Sequence, residues 1–329
     1  MSNFGIPSLA PELEATISSG LIEVESILNS RIQGRYLFAN ETSRHLIVAG
    51  GKRFRPLITI LGALVGDGIN ERVIKAAAVC ELTHLATLYH DDVMDEAPLR
   101  RGVESANSRW GNSVAILTGD YLFAKMSQIL AELGPEAVKL QADTFERLVI
   151  GQIQETQGPS AGDDPLEHYL QVVADKTGSL IATSLRFGSM FAGCTREEIE
   201  TLTQFGEKIG IAFQLADDVI DIASDSHESG KTPGTDLREG IPTLVTLNAL
   251  KSEDPKDASL KLALSAPIKS DEKLQWVINE LRNHEALAQS RLQLQAIAKE
   301  ARAALGPLPI SDASTALYSL CDLIIDRVG

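Results

Sequence analysis

The stretch "AAAVCELTHLATLYHDDVMDEAPLRRG", Ala76 to Gly102, decides the fold. Its first half repeats apolar residues at intervals of three and four, the period of a helix with a buried face. Its second half crowds Asp91, Asp92, Asp95 and Glu96 into six residues and follows them with Arg100 and Arg101. On a helix Asp91 and Asp95 share a face with His84, while Asp92 points about 100° away. Like charges four apart destabilise a helix unless something neutralises them. A solvated acidic helix end is the commoner meaning of such spacing, but this cluster closes an apolar run, where a solvated face is out of place.

The same helical period runs through Ile74–Tyr89, Val114–Ala131, Pro135–Gln157, Leu166–Phe191, Arg196–Ile222 and Asp271–Leu305, with no alternating strand pattern between them. The chain is therefore predicted to be all-α. Breaks rich in Gly, Pro, Ser or Asp fall at 66–70, 157–165, 224–240, 251–257 and 305–309. The polar segment 224–240 carries Lys231 and is long enough to be a lid or ligand-binding loop.

Composition narrows the function. The 329 residues are 44% hydrophobic with a net charge of −15, enough to bury a substantial core. Nucleic acid is an unsuitable partner, because that affinity comes from neutralising phosphates with Lys and Arg. An anion site would need a local cationic pocket, for which residues 50–56, "GGKRFRP", and the Arg100–Arg101 pair are the dense candidates. Cys80, Cys194 and Cys321 lie far apart in apolar context, as free thiols in a reducing compartment do. No targeting peptide and no membrane-spanning run is legible, so the expected address is cytoplasmic.

The acidic spacing recurs in "QLADDVIDIA", residues 214–223, where Asp217, Asp218 and Asp221 again end an apolar helix. Paired carboxylates offer oxygen ligands to hard cations, and Mg²⁺ is usually held by one or two carboxylates plus waters and substrate phosphates. Two facing clusters would clamp a metal diphosphate, with Asp91, Asp95 and Asp217 as ligands and Asp221 acting directly or through water. Gln214 faces the same way, and the arginines would take the remaining phosphate oxygens.

"GGKRFRP", "HDDVMDEAPLRRG", "GDYLFA", "DKTGSLIA", "FQLADDVIDI" and "GKTPGTDLREG" stand in the order and spacing of the trans-isoprenyl diphosphate synthases, and the chain resembles that polyprenyl synthetase family over nearly its whole length. The resemblance implies one all-α domain over 1–329, helices around a deep central cavity, and a homodimer. It implies Mg²⁺, three ions with substrate bound. Isopentenyl diphosphate would be held by Lys52, Arg55, His84 and Arg101, and an allylic diphosphate by the metals with Arg100, Lys176 and Lys231. The carbonyl of Lys176 and the side chains of Thr177 and Gln214 would face an allylic cation, and the 224–240 loop would close over it. Ile241 stands where the family often has a second lysine, one cation fewer for the allylic diphosphate.

Product length in that family depends on what blocks the cavity below the first aspartates. Here small residues, Ala86 and Thr87 with Thr83 behind, line the expected path, which predicts a long-chain product such as a respiratory quinone tail. The stopper is expected from a neighbouring helix such as Val114–Ala131, and product release from a peripheral membrane contact. The alternatives are a geranylgeranyl diphosphate synthase, a non-catalytic subunit of a heteromeric synthase, or a helical binding protein with structural calcium sites.

Overall fold

The computed structural model describes residues 6, 9–223 and 233–327; among these the regular elements are helices apart from one two-stranded ribbon. The first elements are α1 (Pro11–Arg31), α2 (Leu37–Val48), α3 (Phe54–Ala63), α4 (Glu71–Met94), β1 (Leu99–Arg100), β2 (Val103–Glu104), α5 (Ala106–Trp110), α6 (Asn112–Leu133) and α7 (Pro135–Gln157). Then come α8 (Pro165–Val173), a π-turn (Ala174–Gly178), α9 (Ser179–Phe191), α10 (Arg196–Ala223), α11 (Thr235–Glu239), α12 (Leu244–Leu250), α13 (Ala258–Leu264), α14 (Asp271–Asn283), α15 (Glu285–Ala304) and α16 (Asp312–Asp326).

Three departures from the sequence reading have local causes. Leu166–Phe191 is not one uniform α-helix: a wide turn at Ala174–Gly178, closed by Ser179 N–H donating to the Ala174 carbonyl, separates α8 from α9. Asp271–Leu305 breaks at His284, whose backbone is extended and whose ring nitrogen accepts from the Ala286 N–H at 3.0 Å, capping α15. The ribbon pairs Leu99 with Glu104 and Arg100 with Val103. Its two turn residues, Arg101 and Gly102, have φ of 53° and 76°, the left-handed pair that a tight hairpin requires.

The chain divides into two compact units. Met1–Phe145, Leu180–Thr203 and Pro307–Leu317 form the first, and Glu146–Ser179, Gln204–Gly306 and Tyr318–Gly329 the second. In the first, α4 is the central element. Asn70 caps it, accepting from Arg72 N at 3.0 Å and Val73 N at 3.1 Å, and its residues from Val73 to Tyr89 are largely buried. The Tyr89 hydroxyl donates to the Thr42 carbonyl at 2.6 Å and accepts from Leu46 N, fastening α4 to α2. Tyr89 is thus a structural bolt between the two helices.

In the same unit α3 lies against α9 almost backbone to backbone. A Cβ added at Gly188 would sit 1.9 Å from the Thr59 carbonyl oxygen, and one at Gly62 2.8 Å from that of Leu185. In the second unit, Asn248 of α12 donates to Ser290 at 2.9 Å and Gln293 at 2.8 Å on α15. Among the described residues no helix is long and apolar enough to cross a membrane. Gly188→Ala is expected to cost about 1–3 kcal/mol or more, because backbone cannot yield as a side chain does; urea unfolding followed by circular dichroism measures it.

Candidate active site

Both aspartate clusters end their helices. Asp91 and Asp92 lie in the last turn of α4 and Asp95 is its C-cap, while Asp217, Asp218 and Asp221 lie in the closing turns of α10. Helix C-termini carry the negative end of the macrodipole, and neither helix has a basic residue in its last turn. The carboxylates therefore depend on cations brought from elsewhere.

In the first unit the three aspartates separate into roles. Asp91 is half-buried and Asp95 exposed, whereas Asp92 is fully buried. Asp92 Oδ1 accepts from Arg100 Nε at 2.6 Å, and its Oδ2 has no hydrogen-bond partner among the described residues. Burial pushes the Asp92 carboxyl up, and Arg100 opposes that shift. Asp92 is thus a structural counter-ion for Arg100, and the remaining pair of this cluster, Asp91 and Asp95, is the one predicted to hold metal.

The cationic residues sort similarly. Arg53 is taken up by Glu25 and by Glu81 at 3.1 Å. Arg101, at the hairpin turn, donates to the Leu46 carbonyl at 2.8 Å and to the Gly50 carbonyl, with Glu81 at 3.8 Å. Gly51 makes room for it: at φ 141° this residue has no Cβ, and one placed there would lie 2.8 Å from the Arg101 guanidinium carbon. Arg55 makes no ion pair among the described residues, and its Nε is buried without a partner. Lys52 is exposed. Burial first, then Arg55, Arg101, Arg100 and Arg53, hold the His84 imidazole well below its ordinary range, so it is neutral at physiological pH.

In the second unit, Asp217 accepts from Arg327 at 3.1 Å, so a cationic group already rests on the carboxylate predicted to take a metal. Asp221 Oδ1 accepts from Thr235 N at 3.4 Å, and its carbonyl from Gly234 N. Asp218 is buried and held by the Tyr169 hydroxyl, by Leu244 N at 3.2 Å and by Gln214 Nε2 at 3.2 Å. Burial pushes its carboxyl up to about 6. Gln214 in turn accepts from Thr177 at 3.5 Å, which brings those two predicted residues together. Lys176 pairs with Glu155, which also accepts from Gln152 at 3.1 Å. Lys231 lies outside the described residues. Ile241 follows the left-handed Gly240 and donates its N–H to the Asp236 carbonyl at 2.9 Å.

The three chain-length residues are not equivalent. Ala86 and Thr83 are fully enclosed, Thr83 donating to Val79 at 2.8 Å and accepting from Gln141 at 3.0 Å. Only Thr87 of the three keeps accessible surface. On α6, Phe123 packs on Phe145 with centroids 4.6 Å apart and on His90 at 5.8 Å.

Sequence reasoning did not single out Arg53, Glu81, Tyr169 or Arg327, since each acts through a residue remote in the chain; Arg327 and Asp217 are 110 positions apart. Among the described residues no three His, Cys, Asp or Glu side chains close a cage around a metal. Arg100→Ala is expected to cost about 1–3 kcal/mol by stranding the buried Asp92 carboxylate. Adding Asp92→Asn recovers most of that loss, and denaturant titration of both variants checks it.

The chain matches the model of the polyprenyl synthetase family over residues 38–281. It is 46% identical over 316 residues to nonaprenyl diphosphate synthase of Mycobacterium tuberculosis, covering 96% of this chain and 94% of that one. The structure of geranylgeranyl pyrophosphate synthase from Corynebacterium glutamicum, complexed with calcium and isoprenyl diphosphate, matches with a TM-score of 0.89 at 43% identity, covering 98% of this chain and 99% of that one. A decaprenyl diphosphate synthase from Rhodobacter capsulatus matches with a TM-score of 0.88 at 29% identity, covering 97% and 99%. Matched over most of its length in both sequence and fold, the chain belongs to the polyprenyl synthetase family and is a prenyltransferase.

Proposed function

We propose that this prenyltransferase is an all-trans long-chain polyprenyl diphosphate synthase, joining isopentenyl diphosphate head to tail onto an allylic diphosphate primer. The observation that carries the chemistry is the arrangement of charge in the first unit: Arg100 rests on buried Asp92 and Arg53 on Glu81, Asp91 and Asp95 end α4, and buried Arg55 makes no ion pair among the described residues. The long product is supported by likeness to the nonaprenyl synthase and by small Thr87 as the member of its trio with accessible surface.

The oxygen-only donor set of Asp91, Asp95, Asp217 and Asp221 fits a hard divalent cation, proposed to be Mg²⁺ and three ions with substrate. Bound there, the metal would neutralise the diphosphate and make it a better leaving group. Lys52, Arg55, His84 and Arg101 bind isopentenyl diphosphate; Arg100, Lys176 and Lys231 bind the allylic diphosphate. The C1–O bond breaks as pyrophosphate takes the electron pair, the isopentenyl double bond attacks C1, and a proton passes to pyrophosphate. Thr177, Gln214 and the Lys176 carbonyl stabilise positive charge as it develops. Closure by the 224–240 segment keeps water from the cation.

One functional domain over 1–329 is proposed because the family match runs through both units. A homodimer is proposed because the first unit leaves Leu37, Ile116 and Leu117 exposed; light scattering tests it. The three free cysteines support a reducing, cytoplasmic compartment, with a peripheral membrane contact at product release.

A geranylgeranyl product is the second reading, favoured by the Corynebacterium likeness. Purified protein given Mg²⁺, farnesyl diphosphate and labelled isopentenyl diphosphate is expected to yield a ladder ending at a long polyprenol, whereas a stop after one addition selects the second reading. Asp91→Ala and Asp217→Ala are each expected to cut turnover about 10²–10³-fold with little change in melting temperature; full turnover in either removes the metal assignment. Thr87→Phe should shorten the product and Phe123→Ala lengthen it, read by mass spectrometry of the alcohols.

A further inference from the structure

Lys176 lies in a π-turn, a rare wide turn that persists only where its surroundings hold it. One stripe of α7 holds this one, at Arg147, Gly151 and Glu155, four residues apart and hence on one face. All the contacts fall within the second unit. Arg147 Nε donates to Asp175, the residue before Lys176, at 2.9 Å, and its two terminal nitrogens donate to Glu207 of α10 at 2.5 and 3.2 Å. Gln171, a turn earlier on α8, donates to the other Asp175 oxygen at 2.6 Å. Gly151 touches the turn directly: a Cβ there would lie 2.8 Å from the Lys176 amide nitrogen. Glu155 holds the Lys176 ammonium.

Two of these groups grip the backbone around Lys176 and the third grips its charge. A stability element would have no reason to converge on one lysine from both ends. We propose that this stripe of α7 positions Lys176: Arg147, through Asp175, and Gly151 fix where its backbone stands, and Glu155 is the counter-ion its ammonium leaves when a diphosphate binds. The inference rests on the reading of Lys176 as a diphosphate ligand. Arg147 and Glu155 are positioning residues that act through Lys176, and their effects on diphosphate binding have opposite signs. Loss of the Arg147 bracket lets the turn relax and weakens binding. Loss of the Glu155 charge frees the ammonium and strengthens it.

The test is a thermodynamic cycle with inorganic pyrophosphate and Mg²⁺ as the probe, read by isothermal titration calorimetry on the full chain. Arg147→Ala is expected to weaken pyrophosphate binding about tenfold to a hundredfold, with Arg147→Lys recovering part of it, and Glu155→Gln to tighten it about tenfold. In a Lys176→Ala background both effects should vanish. Equal effects with and without Lys176, or the same sign for both substitutions, overturn the proposal. Should Arg147→Ala fail to fold, Asp175→Asn and Gly151→Ala take its place in the same cycle. A wild-type protein that makes no prenyl product would sink the functional reading instead, and an active one with an additive cycle would sink only this inference.

Discussion

Carboxylates gathered at the C-terminal end of a helix are the constraint from which this structure follows. In α4 and α10 alike, three aspartates lie where the helix dipole is already negative and where side chains at i and i+4 repel. Each cluster lowers the cost by burying one member against dedicated donors, Asp92 on Arg100 and Asp218 on Tyr169, Gln214 and Leu244. The middle aspartate of each triplet is thus held by the fold, and of the outer ones Asp217 accepts from Arg327 at 3.1 Å.

The same accounting separates the arginines. Four of them crowd the end of α4, in a protein whose net charge is −15. Were all four unpaired, they would repel one another and hold the nearby helix ends apart. Arg53 is paired with Glu81 and Arg100 with Asp92, Arg101 donates to carbonyl oxygens, and Arg55 makes no ion pair among the described residues. Burial first, and then this crowding, holds the His84 imidazole well below its ordinary range.

Most of the helical architecture was legible, because apolar period and helix length are properties of contiguous sequence; Pro135–Gln157 has the predicted bounds. The period could not reveal the break at His284, since apolar spacing continues across it, nor the π-turn, since one extra residue per turn scarcely shifts a pattern read over a long window. The aspartates and cationic motifs were legible because their spacing is the message. Arg147, Tyr169 and Arg327 were not, because their partners lie 28, 49 and 110 positions away and only the folded chain brings them together. Of the residues that the family resemblance puts on the path of the product, Ala86 is enclosed by packing and Thr87 keeps accessible surface, a difference that sequence alone does not carry.

The hairpin turn gives the two adjacent arginines different fates. Arg100, inside β1, points back to Asp92, while Arg101, in the left-handed turn, reaches the carbonyls of Leu46 in the last turn of α2 and of Gly50 just beyond it. Successive side chains on a ribbon alternate in direction, so the length of the segment between Met94 and Arg100 determines which arginine meets which partner. One residue more or fewer there would exchange their places, leaving the composition of the motif intact and its wiring wrong. The segment acts as a ruler, and its count of residues matters as much as their identity.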